Sequence, residues 1–356
     1  MKLPISGLLF VSLNFVCTVH AALPVWYKNA RPLTTTNAPT PNLVSSQYYL
    51  GAAPQGVGAI DAWTLPGGRG ENVKIIDIEV SYERNHEDLG EPFYLGANPR
   101  GETHHATAVL GVIRGLGNGF GINGIAPNAQ FGFFGFLEGE QENVDAQYIK
   151  AINTAIRSAA AQLQAGDVMV MEQHMAGPDS NRYTAVEYWP EIFAELKKAT
   201  DKGIHCIEAA GNGSSNFDSA AYSGAFDVNK RDSGCILVGA GAPGSHERLF
   251  FSNYGSRIDA HGYGENVATA GYGDLFNGGA TRMYTEAFSG TSSATPVVAG
   301  AVALISSIGK ARGVTITPAE MRAALRRTGT PQGSRTKNQR IGNLPNIAEA
   351  LRSLRL

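Results

Sequence analysis

The chain has 356 residues, 43% hydrophobic and 17% charged, with a net charge of −2. That length accommodates one large core or two domains, and a single α/β domain runs this long. The near-neutral balance and the lack of a dense Lys/Arg cluster exclude a polyanion-binding field, so no nucleic-acid partner is expected.

The first residues read as an export signal. Lys2 supplies a positive start, residues 8–16 are apolar apart from Ser12 and Asn14, and Val19-His20-Ala21 offers small residues for cleavage. Residues 1–21 are therefore expected to be a signal peptide, making the protein secreted, extracellular or periplasmic. Cys17 leaves with that segment, which keeps Cys206 and Cys235. Both sit on apolar strand-like runs, and the sequence leaves open whether they are bonded or are two buried thiols. Residues 22–47 are rich in Pro, Thr and Asn without periodicity and read as a flexible leader.

From residue 48 onward short apolar runs alternate with helical patterns. The runs lie at 73–78, 131–136, 168–171, 204–207 and 235–238, with helix-like stretches near 143–164 and 185–202 between them. Near-continuous apolar strands separated by helices predict an α/β fold, a mostly parallel sheet flanked by helices in three layers, spanning 48–356. Residues 292–309 form another apolar run, but Pro296 and several serines interrupt it. It reads as a buried core helix and not as a membrane anchor.

Four words along this pattern carry chemistry. Asp77 ends the run Val73-Lys74-Ile75-Ile76, which puts a carboxylate at the carboxyl edge of a parallel sheet, where sites form. Glu79, two residues on, either competes for that role or faces solvent. His105 opens the small, apolar word His105-Ala106-Thr107-Ala108-Val109-Leu110-Gly111. Ala209-Ala210-Gly211-Asn212-Gly213 follows the strand at 204–207. Ser292 lies in Gly290-Thr291-Ser292-Ser293-Ala294-Thr295-Pro296, at the threshold of an Ala/Val-rich helix, where developing negative charge is favoured. All eight histidines precede Ser292. That order excludes an α/β-hydrolase, which needs its histidine after the serine.

These words, in this order, resemble the nucleophile, histidine, acid and oxyanion segments of the subtilases, the subtilisin-like serine proteases. His86-Glu87-Asp88-Leu89 resembles the family's His-Pro-Asp-Leu and supports Asp77 as the acid. The resemblance covers roughly residues 48–350 and departs from the family wording behind Asp77 and at Ala106. It implies a serine endopeptidase acting on polypeptide through an acyl-enzyme. Ser292 would be nucleophile, His105 base, Asp77 orienting acid and Asn212 oxyanion donor. Activity would then fall as pH drops through the histidine's ordinary value near 6.5. The alternatives are a catalytically silent, subtilase-like binding protein and an esterase using the same triad. Gly177 and Pro178 match the edge segment that pairs with substrate backbone. Asp88 and Asn118 match positions that ligate calcium in some relatives. No cofactor is implied for the chemistry, structural Ca2+ is a candidate, and a monomer is expected.

Overall fold

A computed structural model of the chain describes residues 32–97, 101–136, 146–180 and 182–356. The expected signal peptide, 1–21, lies outside the described residues, as does the first part of the leader.

The chain runs through a short helix α1 (Ala59–Ala62), β1 (Lys74–Glu79), β2 (Tyr94–Leu95), α2 (His104–Arg114), β3 (Gln130–Gly135) and α3 (Ala146–Gln162). Then come β4 (Val168–Met171), the hairpin β5 (His174–Ala176) and β6 (Tyr183–Ala185), α4 (Pro190–Asp201), β7 (His205–Ala209), β8 (Ile236–Gly241) and β9 (Ala260–Tyr263). A ribbon of β10 (Val267–Ala270), β11 (Phe276–Asn277) and β12 (Met283–Phe288) leads into α5 (Thr291–Ala311), α6 (Pro318–Arg327) and α7 (Ile347–Ser353).

Seven strands form one sheet in the order β2-β3-β1-β4-β7-β8-β9, each pair parallel. Alternation along the strands divides the core. Ile75, Val168, Val170, Ile207 and Val238 face α2 and α5. Ile76, Ile78, Met169, Met171 and Cys206 face α3 and α4. Helices on both sides explain why the strands are apolar on both faces. The expected three-layer α/β fold is the one observed.

The longest helix, α5, is buried from Thr291 through Gly309. It is the one helix among the described residues long and apolar enough to cross a membrane, and it lies wholly inside the fold. Its start is set by glycines. Gly290 sits at φ 101°, a conformation side chains resist. A Cβ on Gly262 of β9 would fall 2.1 Å from the Ala294 carbonyl oxygen, so only glycine lets the sheet touch the helix's first turn.

The leader is not free where it is described. Leu33 N–H donates to Gly273 O (2.9 Å) and Thr36 N–H to Asn277 O (2.8 Å), while Asn277 Nδ2 donates back to Leu33 O (2.7 Å). Further along, Gly121 N–H donates to Pro41 O and Leu43 N–H to Gly121 O. Residues 33–43 are thus strapped along the ribbon and the loop after α2. Backbone bonds of this kind require no side-chain periodicity. Cys206 and Cys235 are neighbours across β7 and β8, next to the Ile207–Ile236 pair, and both are buried free thiols.

Candidate active site

Asp77 and Glu79 are two residues apart on β1 and share the face toward α2 and α5. At about 3.3 Å per residue, Asp77 lies some 6–7 Å deeper along the strand than Glu79, its last residue. The carboxylate that meets the histidine is Glu79. His105 Nδ1 lies 2.6 Å from Glu79 Oε1, and Asp77 makes no ion pair with the ring. The expected pairing of Asp77 with His105 is therefore not what the geometry gives. The strand continues two residues past Asp77, and its mouth is at Glu79, which is buried and not solvent-facing.

The histidine is held from behind. Glu102 accepts from the backbone N–H groups of His104 (2.6 Å) and His105 (3.1 Å), satisfying two free donors at the start of α2. Thr107 Oγ1 accepts from Glu83 N–H (2.8 Å) and donates to Thr103 O (2.7 Å), tying the loop after β1 to the same turn. Burial alone would lower the His105 pKa. The Glu79 carboxylate overrides it, assisted by Glu102 and Asp77, and the value rises to about 9.

Behind Glu79 the strand ends bring further groups together. Glu172 directly follows β4, and its carboxyl is within hydrogen-bonding reach of Asp77. Asp77 and Glu172 are both buried, and apart from the Glu172 backbone N–H no N–H or O–H donor among the described residues reaches their four oxygens. Burial first, and then the Glu79 charge, lifts Asp77 well above the usual carboxyl range; burial and Asp77 do the same to Glu172. Gln173 Nε2 donates to Ile78 O (2.7 Å), which braces the two strand ends. His174 stacks on Tyr183 with centroids 4.1 Å apart, and burial with the nearby His105 charge pushes it down to about 4. The sequence reading passed over Glu172. Its signal was a charged word, Glu172-Gln173-His174, directly after an apolar strand.

Ser292 is the second residue of α5 and is 6% exposed. Its N–H belongs to the first turn, where no intrahelical acceptor exists. Pro296, four residues on, has no N–H to give the Ser292 carbonyl. Asn212 lies just past β7, and its Oδ1 accepts from Thr291 N–H (2.9 Å) and Thr291 Oγ1 (3.0 Å). With the oxygen so engaged, Nδ2 is the free end of the amide beside the serine. Asn253 braces this loop: its N–H donates to Gly211 O (3.1 Å), its Nδ2 donates to Ala210 O (2.6 Å), and its Oδ1 accepts from Ser215 N–H (2.8 Å). Phe288, just ahead of α5, stands edge-on to the His105 ring at 5.6 Å. The strand that leads into the helix carrying Ser292 thus packs on the histidine.

Gly177 and Pro178 follow β5, which pairs antiparallel with β6. Gly177 N–H donates to Arg182 O (2.7 Å), and a Cβ there would fall 2.7 Å from Thr184 Cγ2.

Asp88 and Asn118 meet directly. Asp88 Oδ1 accepts from Asn118 Nδ2 (2.7 Å); Oδ2 accepts from Ile122 N–H (2.8 Å) and the Tyr284 hydroxyl (2.9 Å). Burial raises Asp88 to about 6 against the pull of these donors. Calcium needs six to eight converging oxygens. Here hydrogen donors converge on the carboxylate instead, so the arrangement does not fit the expected ion.

A serine at a helix start, a carboxylate–imidazole pair and a side-chain amide, gathered at the carboxyl edge of a parallel sheet, are the parts of a serine hydrolase. The family model described as the subtilase family matches residues 69–343, and the chain belongs to that family, the subtilisin-like serine endopeptidases. Subtilisin NAT of Bacillus subtilis subsp. natto is 30% identical over 296 residues, covering 80% of this chain and 68% of that protein. The intracellular serine protease of Paenibacillus polymyxa is 28% identical over 320 residues, 85% of this chain and 88% of its own. A solved protease from Pseudoalteromonas arctica shares the fold with a TM-score of 0.63 at 20% identity, covering 88% of this chain and 99% of that one.

Proposed function

We propose that Ser292, His105 and Glu79 form the catalytic triad and that Asn212 Nδ2 and the Ser292 N–H bind the oxyanion. The observation that carries this is the 2.6 Å approach of Glu79 to His105 Nδ1, which leaves Nε2 as the ring's free nitrogen. His105 takes the Ser292 proton as the hydroxyl attacks the peptide carbonyl, then returns it to the leaving amine. Glu79 fixes the tautomer and stabilises the imidazolium. Water then hydrolyses the acyl-enzyme by the same route. Asn212, tethered at its oxygen by Thr291, spends its N–H on the developing oxyanion.

Polypeptide is the substrate class, and Gly177 and Pro178, next to the β5 edge, would pair with its extended backbone. The signal-like residues 1–21 support export, which mass analysis of the mature N-terminus checks. For the triad, a fluorophosphonate probe labels the wild-type protein and not Ser292→Ala. Label that survives in Ser292→Ala moves the nucleophile elsewhere. A correctly folded wild type that never labels, and cuts neither peptide nor ester, removes the proposal.

A further inference from the structure

We infer that Asp77 and Glu172 share one buried proton, Glu172 donating to Asp77, and that this pair is the support holding Glu79 against His105. The inference rests on the triad proposed above. It gives positioning roles to two residues that the triad does not use.

The strand register brings the groups together. β1 and β4 are parallel, with Asp77 opposite Val170 and Ile78 opposite Met171. Continued one step, that register puts Glu172 beside Glu79. The side chains of Asp77, Glu79 and Glu172 then point to one face, the face of α2 and α5. Three carboxyls therefore crowd one patch, and among the described residues the only cation facing them is a protonated His105.

Their surroundings differ. Glu79 has the imidazole, whereas among the described residues Asp77 and Glu172 have no cation in contact and no donor beyond the Glu172 backbone N–H and each other. An ionised carboxylate without partners in a dry interior is too costly to persist, and two side by side are worse. A carboxylic acid is itself a donor, so one retained proton satisfies both groups. The proton belongs on Glu172, because the imidazolium of His105 faces Asp77 and not Glu172 and so favours the charged form of Asp77. The groups facing the pair are Glu79 on its own strand, His105 on α2 with Glu102 behind it, and His174 on β5. With Glu172 protonated, Glu79 is backed by a single shared charge and leans toward the ring. With Glu172 ionised, three negative charges would compete for one imidazolium.

The test separates this from the triad itself. Infrared spectra of the full chain carrying Ser292→Ala, at neutral pH, should show a buried carboxylic-acid C=O band that disappears in Glu172→Gln. Without that band in the parent the shared proton does not exist, whatever the enzyme's activity. In the active enzyme, Asp77→Asn removes the charge that helps hold His105 protonated. The acid limb of kcat/KM should then move to lower pH by about one unit. A purely structural part for Asp77 would lower the plateau and leave the limb where it was, which overturns the positioning role. Glu172→Gln keeps a donor to Asp77 and should recover the rate that Glu172→Ala loses; equal losses in both also overturn it.

Discussion

Two groups of buried carboxyls lie on opposite faces of the same sheet and meet opposite treatment. On the face of α3 and α4, the fully buried Arg257 guanidinium takes Glu187 with Nε and Nη2 (2.6 and 2.9 Å) and Asp259 with Nη1 (2.6 Å). Asp259 also accepts from Arg326 and Leu237 N–H, and Arg257 Nη2 donates to Cys235 O. Glu187, Glu208 and Cys235 lie close together; the guanidinium pairs with Glu187, while Glu208, which accepts from Glu187 N–H, is lifted above the usual carboxyl range by burial. On the face of α2 and α5, among the described residues, Asp77, Glu79 and Glu172 have one ion-paired histidine, His105, and a second, His174, that burial keeps neutral. Where a fixed cation satisfies the acids, their charge is structural. Where only an imidazole answers them, protons must be shared, and the group becomes titratable near working pH. The comparison separates a bolt from a working part by its counter-charge.

The sharpest break is Glu79→Gln, which keeps the shape and reverses the hydrogen-bonding sense at Nδ1. A wrong-tautomer effect predicts a loss of about 10⁴-fold in kcat. Asp77→Asn, by contrast, should cost far less, and a larger loss at Asp77 would restore it as the orienter. Next, Arg257→Met strands Glu187 and Asp259. Denaturant titration should show about 3–5 kcal/mol of lost stability. The shape of the pH–rate profile should stay as it is, since this group stands apart from the reaction.

Removing the amide in Asn212→Ala should lower kcat by about 10²–10³ with little change in KM. The pH profile sharpens the comparison further. His105 must be neutral to accept a proton, and Glu79 raises its pKa to about 9, so activity should climb through that region and not near 6.5. A limb near 6.5 would mean that the Glu79 contact is not held in the working enzyme.

The smallest effect concerns the buried histidines. Burial pushes His205 and His261 down to about 3, so they stay neutral in the fold. A depressed histidine contributes stability that is present above its unfolded value near 6.5 and lost as pH falls toward the folded value. Thermal melts should therefore weaken between pH 6.5 and about 3. His205→Leu should flatten that slope. Asp88, raised to about 6, acts in the opposite sense: its contribution is present at low pH and fades as pH rises through that value.

The sequence made the sheet legible because parallel strands covered on both faces must be apolar almost throughout. Ser292, His105 and Asn212, which the proposed site retains, stand out in the sequence because each lies in a word whose small residues serve close packing. The replacement of Asp77 by Glu79 in the proposed triad was harder to read. Both lie on one strand face, and only the strand's true end, past Ile78, decides which carboxylate reaches the histidine. Glu172 was hidden because its partner comes from a strand far away in sequence. The strapped segment at 33–43 was hidden for another reason: its bonds are made by backbone, which carries no residue pattern. For Asp88, the sequence could supply matching residue types but not the direction of the hydrogens around them.

The burial of α5 has a consequence in time. A helix sealed from Thr291 to Gly309 has no local route to fraying in its middle, so its amide hydrogens should exchange with deuterium only when the whole molecule opens. Ser292 rides on that helix. Its reactivity should survive heating almost to the point of collapse and then vanish together with the fold. The shelf life of the catalyst and the lifetime of its folded state would then be one clock.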